Sequence, residues 1–110
     1  MLYITAEDFF NTVKDSVPLT REEERALAAR KEGGDPVARQ RLVEGYLPFV
    51  AAVIRRAPAA LHTLDTVYAC IHSLEQGVDG FDFAQDSETF AHHLSGRLRR
   101  CITRQIARRT

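Results

Sequence analysis

The chain has 110 residues, and its 15 lysines and arginines balance its 15 aspartates and glutamates, so the formal net charge is zero. This length suits one domain, and 45% hydrophobic with 27% charged residues is typical of a globular protein and excludes a disordered or collagen-like one. No apolar run reaches the roughly 18 residues of a membrane helix, and the start lacks the order of a signal peptide. We therefore expect a soluble, cytoplasmic protein that does not enter a membrane.

The zero net charge hides a separation of charges along the chain. Residues 57–96 contain no lysine or arginine, and their acidic residues are Asp65, Glu75, Asp79, Asp82, Asp86 and Glu88. Residues 97–110 contain no acidic residue, and their basic residues are Arg97, Arg99, Arg100, Arg104, Arg108 and Arg109. Neutrality of the whole chain therefore does not exclude a nucleic-acid partner, because the last segment is strongly basic by itself.

Apolar residues recur at three- and four-residue spacing through most of the chain, without the alternation of β-strands. This pattern predicts an all-α protein, a compact bundle of about five helices. Thr5 followed by Asp8 resembles a capping box and starts the first helix, which ends before Val17-Pro18.

The second and third helices have clear boundary signals. Thr20 followed by Glu23 is a better capping box, and this helix is predicted to stop at Gly33-Gly34. Asp35 then caps a long apolar helix that ends before Pro58. Because Pro48 lies inside this stretch, a kink or a break is expected near Tyr46.

The last two helices differ in charge. The fourth starts at Thr63 or Leu64 and ends near Gly80, while the fifth is predicted to run from Ser87 to the C-terminus, with Asp86 as its capping residue. One side of the fifth helix is apolar. Its flank, within an arc of about 80°, carries Arg97, Arg100, Arg104 and Arg108.

The arginine flank predicts contacts with nucleic-acid phosphates. It has no interleaved glutamate to form i,i+4 ion pairs, and arginine favours bidentate phosphate contacts. A solvated helix face is the alternative. Thr103 and Gln105 are candidates for base contacts or for plain solvation, and Phe90 for a base contact or for core packing.

Several stretches carry the pattern of one family. These are 17–24 (Val-Pro-Leu-Thr-Arg-Glu-Glu-Glu), 34–35 (Gly-Asp), 41–56, 64–82, 89–91 (Thr-Phe-Ala) and 101–106 (Cys-Ile-Thr-Arg-Gln-Ile). In their order they resemble regions 1.2 and 2 of bacterial sigma-70 factors. The resemblance implies a single helical sigma region 2-like domain over 1–110, in which 1–34 corresponds to region 1.2 and 35–110 to region 2.

The resemblance implies a transcription initiation factor domain that binds core RNA polymerase and promoter DNA near the −10 element. Together with the arginine flank it gives as DNA-binding candidates Phe90, Arg97, Arg99, Arg100, Thr103, Arg104, Gln105 and Arg108. The polymerase-binding candidates are Asp65, Thr66, Tyr68 and Ala69. An anti-sigma factor or another regulatory protein is a further expected partner.

Two departures from the family pattern favour an alternative. Where the family's polymerase-binding helix reads Asp-Leu-Ile-Gln-Glu-Gly, residues 65–70 read Asp-Thr-Val-Tyr-Ala-Cys, and the chain has no tryptophan after Thr89-Phe90-Ala91. The alternative is a sigma-derived helical protein-interaction module that binds polymerase or a regulator without reading DNA.

The histidines and cysteines do not form a pattern typical of an enzyme or a metal site. His92 and His93 are about 100° apart on a helix, which does not suit a shared metal ion. Cys70 and Cys101 are expected to be reduced, partly buried thiols on apolar faces. We expect no catalysis, no metal and no cofactor.

Overall fold

The computed structural model describes residues 2–85 and 87–109, and within these ranges all regular structure is helical. The helices are α1 (Ala6–Val13), α2 (Arg21–Glu32), α3 (Pro36–Gly45), α4 (Leu47–Arg56), α5 (Leu64–Gly80) and α6 (Phe90–Arg108), with a 3₁₀ turn at Ala59–Leu61. The predicted all-α fold is confirmed. Asp86, predicted to cap the last helix, lies outside the described residues.

The first two helices begin where their capping residues predict. Thr5 Oγ1 accepts a hydrogen bond from the backbone N–H of Asp8 at 3.0 Å. At the start of α2 the bonds are reciprocal, since the Glu23 N–H donates to Thr20 Oγ1 at 3.1 Å and the Thr20 N–H donates to Glu23 Oε1 at 2.9 Å. Each bond satisfies a backbone donor that the helix itself leaves without a partner.

The long apolar stretch breaks into two helices at Tyr46, as expected. Tyr46 ends α3 and precedes α4 with φ −103° and ψ 0°, and Pro48 lies in the first turn of α4, where it needs no intrahelical hydrogen bond. This break gives six α-helices in the described residues.

The last helix begins later than predicted. Ser87 was expected at its start, but α6 begins at Phe90, and Thr89 is its N-cap, accepting a hydrogen bond from the His92 N–H at 3.2 Å. The backbone N–H groups of Ser87 and Glu88 donate instead to Gln85 Oε1, at 2.7 and 3.0 Å. The Gln85 side chain thus holds these two residues in a turn outside the helix.

Helix α5 is the centre of the bundle. It packs against α1, α3, α4 and α6, while α2 packs mainly on α3. Its inward side buries eight residues: Thr66, Val67, Cys70, Ile71, Ser73, Leu74, Gly77 and Val78. Helix α6 lies along α5, which leaves the outer side of α6 to solvent. None of the helices in the described ranges has the length and apolarity needed to cross a bilayer.

Candidate nucleic-acid and protein interface

The outer side of α6 is a basic surface, which we call the arginine face and define as Arg99, Arg100, Arg104 and Arg108. All four side chains are exposed, while the inward side of the helix buries Phe90, Leu94, Leu98 and Cys101. The sequence of α6 contains no acidic residue. Among residues 2–85 and 87–109, no carboxylate forms an ion pair with these four arginines.

Three members of the arginine face form a row. Arg100, Arg104 and Arg108 follow one another at four-residue spacing, so they lie on one side of α6 over about 12 Å. Arg99 lies about 100° around the helix from Arg100. The exposed row can reach the backbone of a nucleic-acid strand without first breaking an intramolecular ion pair.

Arg97 does not belong to this exposed row. Its Nε donates a hydrogen bond to the Ser73 carbonyl oxygen at 3.1 Å, and a terminal nitrogen lies 3.4 Å from Gln76 Oε1. The aliphatic part of the side chain runs over Gly77, where an added Cβ would lie 3.1 Å from Arg97 Cδ. Arg97 therefore joins α6 to α5, and these contacts do not favour its expected role in DNA contact, which stays a prediction.

Phe90, another DNA-binding candidate, is buried. Only 1% of the residue is exposed, and its ring centre lies 4.9 Å from that of Tyr46, 4.9 Å from that of Phe83 and 5.3 Å from that of Phe81. Of the two roles that the sequence left open, the geometry fits core packing. A base cannot stack on a ring that other aromatic residues already cover.

The two polar candidates on α6 differ in exposure. Thr103 is exposed, but its hydroxyl donates to the Arg99 carbonyl oxygen at 2.9 Å, so only its acceptor capacity remains for a ligand. Gln105 is half-buried. Neither is held in an orientation toward a particular base edge by any contact in the described residues.

The polymerase-binding candidates on α5 also differ in exposure. Asp65 is exposed in the first turn, and Ala69 is half-buried. Thr66 is fully buried, with its hydroxyl 3.2 Å from that of Thr63. The inward side of α5 begins at this position, so the burial of Thr66 does not favour its expected role in polymerase binding, which stays a prediction.

Tyr68 has both a structural and a surface role. It is 36% exposed, and its hydroxyl accepts a hydrogen bond from the Tyr3 N–H at 2.7 Å. This bond holds the N-terminal segment against α5.

The exposed side of α5 continues from Tyr68 to His72, four residues later. The sequence interpretation missed His72, although this spacing indicates the same side of the helix. We call Asp65, Tyr68, Ala69 and His72 the α5 surface.

The sequence interpretation also missed a groove of about 710 Å³ between α2 and residues 81–85 and 88–91. Its floor includes the half-buried rings of Tyr46 and Phe83. Its charged rim has both signs and consists of Arg21, Glu24, Arg25, Glu32, Asp82 and Glu88. Because the groove forms only when the loop after α5 folds back toward α2, no local sequence signal predicts it.

Tyr46 and Glu24 fix one wall of the groove. The Tyr46 hydroxyl donates a hydrogen bond to Glu24 Oε1. Burial of the phenol and this bond to a carboxylate both raise the pKa of Tyr46. Tyr46 therefore remains a protonated donor at neutral pH and ties α2 to the junction of α3 and α4.

Two curated proteins are similar to this chain over most of its length. They are the RNA polymerase sigma factors SigA of Listeria monocytogenes serovar 1/2a and of Listeria innocua serovar 6a, each 36% identical over 90 residues. The matched segment covers 81% of this chain but 24% of each relative, so the chain spans about a quarter of their length. No protein-family model matches the sequence. The similarity supports a sigma-70-like region.

Proposed function

We propose that this chain is a sigma-70-like transcription initiation domain that binds core RNA polymerase and, through α6, promoter DNA near the −10 element. The observation that supports the DNA half is the arginine face, an exposed row of positive charges that forms no ion pair with a carboxylate of residues 2–85 and 87–109. The similarity to the two SigA proteins supports the polymerase half.

Phosphate contact is the interaction that the arginine face suits best. Each neutralised phosphate releases condensed counterions, and this release supplies affinity that does not depend on sequence. Because the residues before α6 carry a net negative charge in total, we expect binding to be local to α6. Three contacts from Arg100, Arg104 and Arg108 predict that the logarithm of affinity falls with the logarithm of salt concentration with a slope of about −2 to −3.

The polymerase contact is assigned to the α5 surface. Asp65 is exposed and has no ion-pair partner within the described ranges, and Tyr68 offers a partly exposed ring beside it. Aromatic residues bordered by charges are common in protein interfaces. The α5 surface and the arginine face belong to different helices, so one molecule can hold both partners.

The DNA half is tested by fluorescence anisotropy with a labelled promoter single strand and with the duplex, at about 50 mM salt, where phosphate contacts are strong. We expect the double variant Arg100→Ala/Arg104→Ala to bind at least tenfold more weakly than the unchanged chain. The control Arg41→Ala/Arg56→Ala removes the same charge from exposed positions on α3 and α4 and is expected to stay within twofold. No detectable affinity of the unchanged chain, or equal losses in both variants, would contradict the proposal.

The polymerase half is tested by retention of core RNA polymerase on the immobilised chain. Asp65→Arg is expected to lower retention at least tenfold. The control Glu7→Arg makes the same charge reversal at an exposed first-turn position of α1 and is expected to leave retention unchanged. Equal retention by both variants would remove the α5 surface from the proposal.

The second candidate function is a helical protein-interaction module that binds polymerase or a regulator without DNA. The buried position of Phe90 favours it, because the one aromatic candidate for a base contact packs in the core. Retention of core polymerase together with no DNA affinity would decide for this candidate.

A further inference from the structure

The two cysteines of the chain meet at the contact between α5 and α6. Cys70 and Cys101 are 31 residues apart in sequence, and their Sγ atoms are 3.7 Å apart. Both are free thiols and are buried, more completely than the sequence predicted. Since the chain has two cysteines in total, an intramolecular disulfide can form only between Cys70 and Cys101.

We propose that Cys70 and Cys101 form a dithiol modification site, which a peroxide oxidises to a disulfide that joins α5 to α6. This proposal concerns the folded chain itself and does not depend on the binding of DNA or polymerase.

The distance between the sulfurs is close to what a disulfide requires. An S–S bond is about 2.05 Å long, so the two Sγ atoms have to approach by about 1.7 Å. Rotation about the side-chain torsions together with a small shift of α6 along α5 supplies a movement of this size.

The surroundings of the pair make Cys101 the more reactive thiol. The hydrogen bond from Cys70 and the nearby Arg104 guanidinium lower the pKa of Cys101 to about 7, although burial acts in the opposite direction. The same hydrogen bond, with burial, raises the pKa of Cys70. Because the thiolate is the nucleophile, Cys101 attacks the oxidant and Cys70 resolves the product.

Access to Cys101 is provided by its place in α6. It is the last buried residue of the helix, and the residues after it are half-buried or exposed. A movement of the C-terminal end of α6 away from α5, with the helix intact from Cys101 to Arg104, therefore uncovers the Cys101 sulfur while Leu94 and Leu98 remain packed on α5.

The reaction with hydrogen peroxide takes place in two balanced steps. The Cys101 thiolate attacks one peroxide oxygen, the O–O bond breaks, and the departing hydroxide takes a proton and leaves as water, which gives a sulfenic acid. The Cys70 sulfur then attacks the Cys101 sulfur, the S–O bond breaks, and the hydroxide accepts the Cys70 proton. Overall, two thiols and one peroxide give one disulfide and two waters.

The first experiment treats the reduced, folded chain with hydrogen peroxide and follows free thiols, intact mass and peptide masses. We expect a monomer that has lost two hydrogens and both thiols, with a peptide linking Cys70 to Cys101 that dithiothreitol separates. Its midpoint of thermal unfolding is expected to rise by several degrees, because the bond closes a 31-residue loop. Disulfide-linked dimers as the main product, stepwise over-oxidation of Cys101, or thiols that react only after unfolding in urea would each overturn the proposal. This measurement needs no variant.

Variants then assign the roles of the residues. In Cys70→Ser, Cys101 is expected to accumulate as a sulfenic acid that dimedone traps, whereas Cys101→Ser is expected to react at least tenfold more slowly. Arg104→Ala is expected to slow oxidation about fivefold at pH 7 and to shift its pH profile upward, because the thiolate loses its positive neighbour. The control Arg108→Ala removes the same charge one turn later and is expected to keep the original rate and profile. Equal pH profiles for the two arginine variants would contradict the role of Arg104.

Discussion

Arg39 of α3 and Asp79 of α5 form a two-point ion pair between residues 40 positions apart. The Arg39 Nε lies 2.6 Å from Asp79 Oδ1, and a terminal nitrogen lies 2.9 Å from Oδ2. The hydrogen bond from Arg39 and the charge of its guanidinium hold the pKa of Asp79 below its usual value. The pair fastens the C-terminal end of α5, from which the loop toward α6 departs.

The first prediction concerns Asp79→Asn. The side chains are 38% and 51% exposed, so solvent screens the pair and we expect the free energy of unfolding to fall by only about 0.5–1 kcal/mol at neutral pH. Because the folded-state pKa is lowered, the stabilisation is present above about pH 4 and is lost as the pH falls through the folded value. Urea unfolding at several pH values measures this difference.

The control for this variant is Asp15→Asn, since Asp15 is exposed after α1 and takes part in no ion pair among the described residues. It is expected to change the free energy of unfolding by less than about 0.5 kcal/mol. A difference between the unchanged chain and Asp79→Asn that persists at about pH 2 would show that the ion pair is not its cause.

The helix boundaries were predictable where their causes are local. The caps at Thr5, Thr20 and Asp35 act on backbone groups two or three residues away, so the sequence alone contains the information. The break at Tyr46 follows in the same way from Pro48. Helix α6 starts later than predicted because the Gln85 side chain accepts hydrogen bonds from the backbone N–H groups of Ser87 and Glu88.

The candidate sites were predictable only in part, because side-chain partners come from distant residues. The periodicity of α6 correctly placed Arg100 and Arg104 on an exposed side. The same periodicity cannot show that the Ser73 carbonyl oxygen accepts from Arg97, or that Tyr46 covers Phe90. These contacts depend on how helices pack, which a single sequence does not state.

The second prediction tests the packing of Arg97 over Gly77. A Cβ at position 77 would lie 3.1 Å from Arg97 Cδ and 3.3 Å from Nε, which is tighter than ordinary contact. We expect Gly77→Ala to lower the free energy of unfolding by about 0.5–1 kcal/mol in the unchanged chain, because Arg97 is displaced. In the Arg97→Ala background, Gly77→Ala is expected to raise the free energy of unfolding by a similar amount, since alanine has a higher helix propensity than glycine.

A double-mutant cycle by urea unfolding measures this coupling, which is expected to exceed about 1 kcal/mol. If Gly77→Ala stabilised the chain equally in both backgrounds, Arg97 would be free to move away and its hydrogen bond to Ser73 would not hold the side chain in place. If it destabilised the chain equally in both, the strain would not come from Arg97.

The third prediction concerns the close approach of Leu19 to the end of α3. An added Cβ at Gly45 would lie 2.5 Å from Leu19 Cγ and 2.6 Å from Cδ1. We expect Gly45→Ala to lower the free energy of unfolding by about 1–3 kcal/mol, because Leu19 has to leave its position against the core. Thermal or urea unfolding provides the measurement.

Gly80→Ala is the matched control, since an added Cβ there meets no atom within 4 Å. It is expected to stay within about 0.5 kcal/mol of the unchanged chain or to be more stable. In the Leu19→Ala background, Gly45→Ala is expected to lower the free energy of unfolding much less than it does in the unchanged chain. A cost that stays the same in the Leu19→Ala background would place the strain elsewhere in α3.

The last prediction separates core packing from DNA contact at two positions of α6, Phe90 at its start and Arg100 in its middle. Because Phe90 is 1% exposed among aromatic rings, we expect Phe90→Leu to lower the free energy of unfolding by about 1–3 kcal/mol and to leave the DNA affinity of the folded chain within about twofold. Arg100→Ala is expected to do the reverse, with stability within about 0.5 kcal/mol and weaker DNA binding, because the side chain is exposed on the arginine face. Urea unfolding and anisotropy on the same preparations measure both quantities. If Phe90→Leu weakened single-strand binding tenfold while stability stayed unchanged, the ring would have to leave the core to contact a base, and promoter binding would then require α6 to open at its N-terminal end.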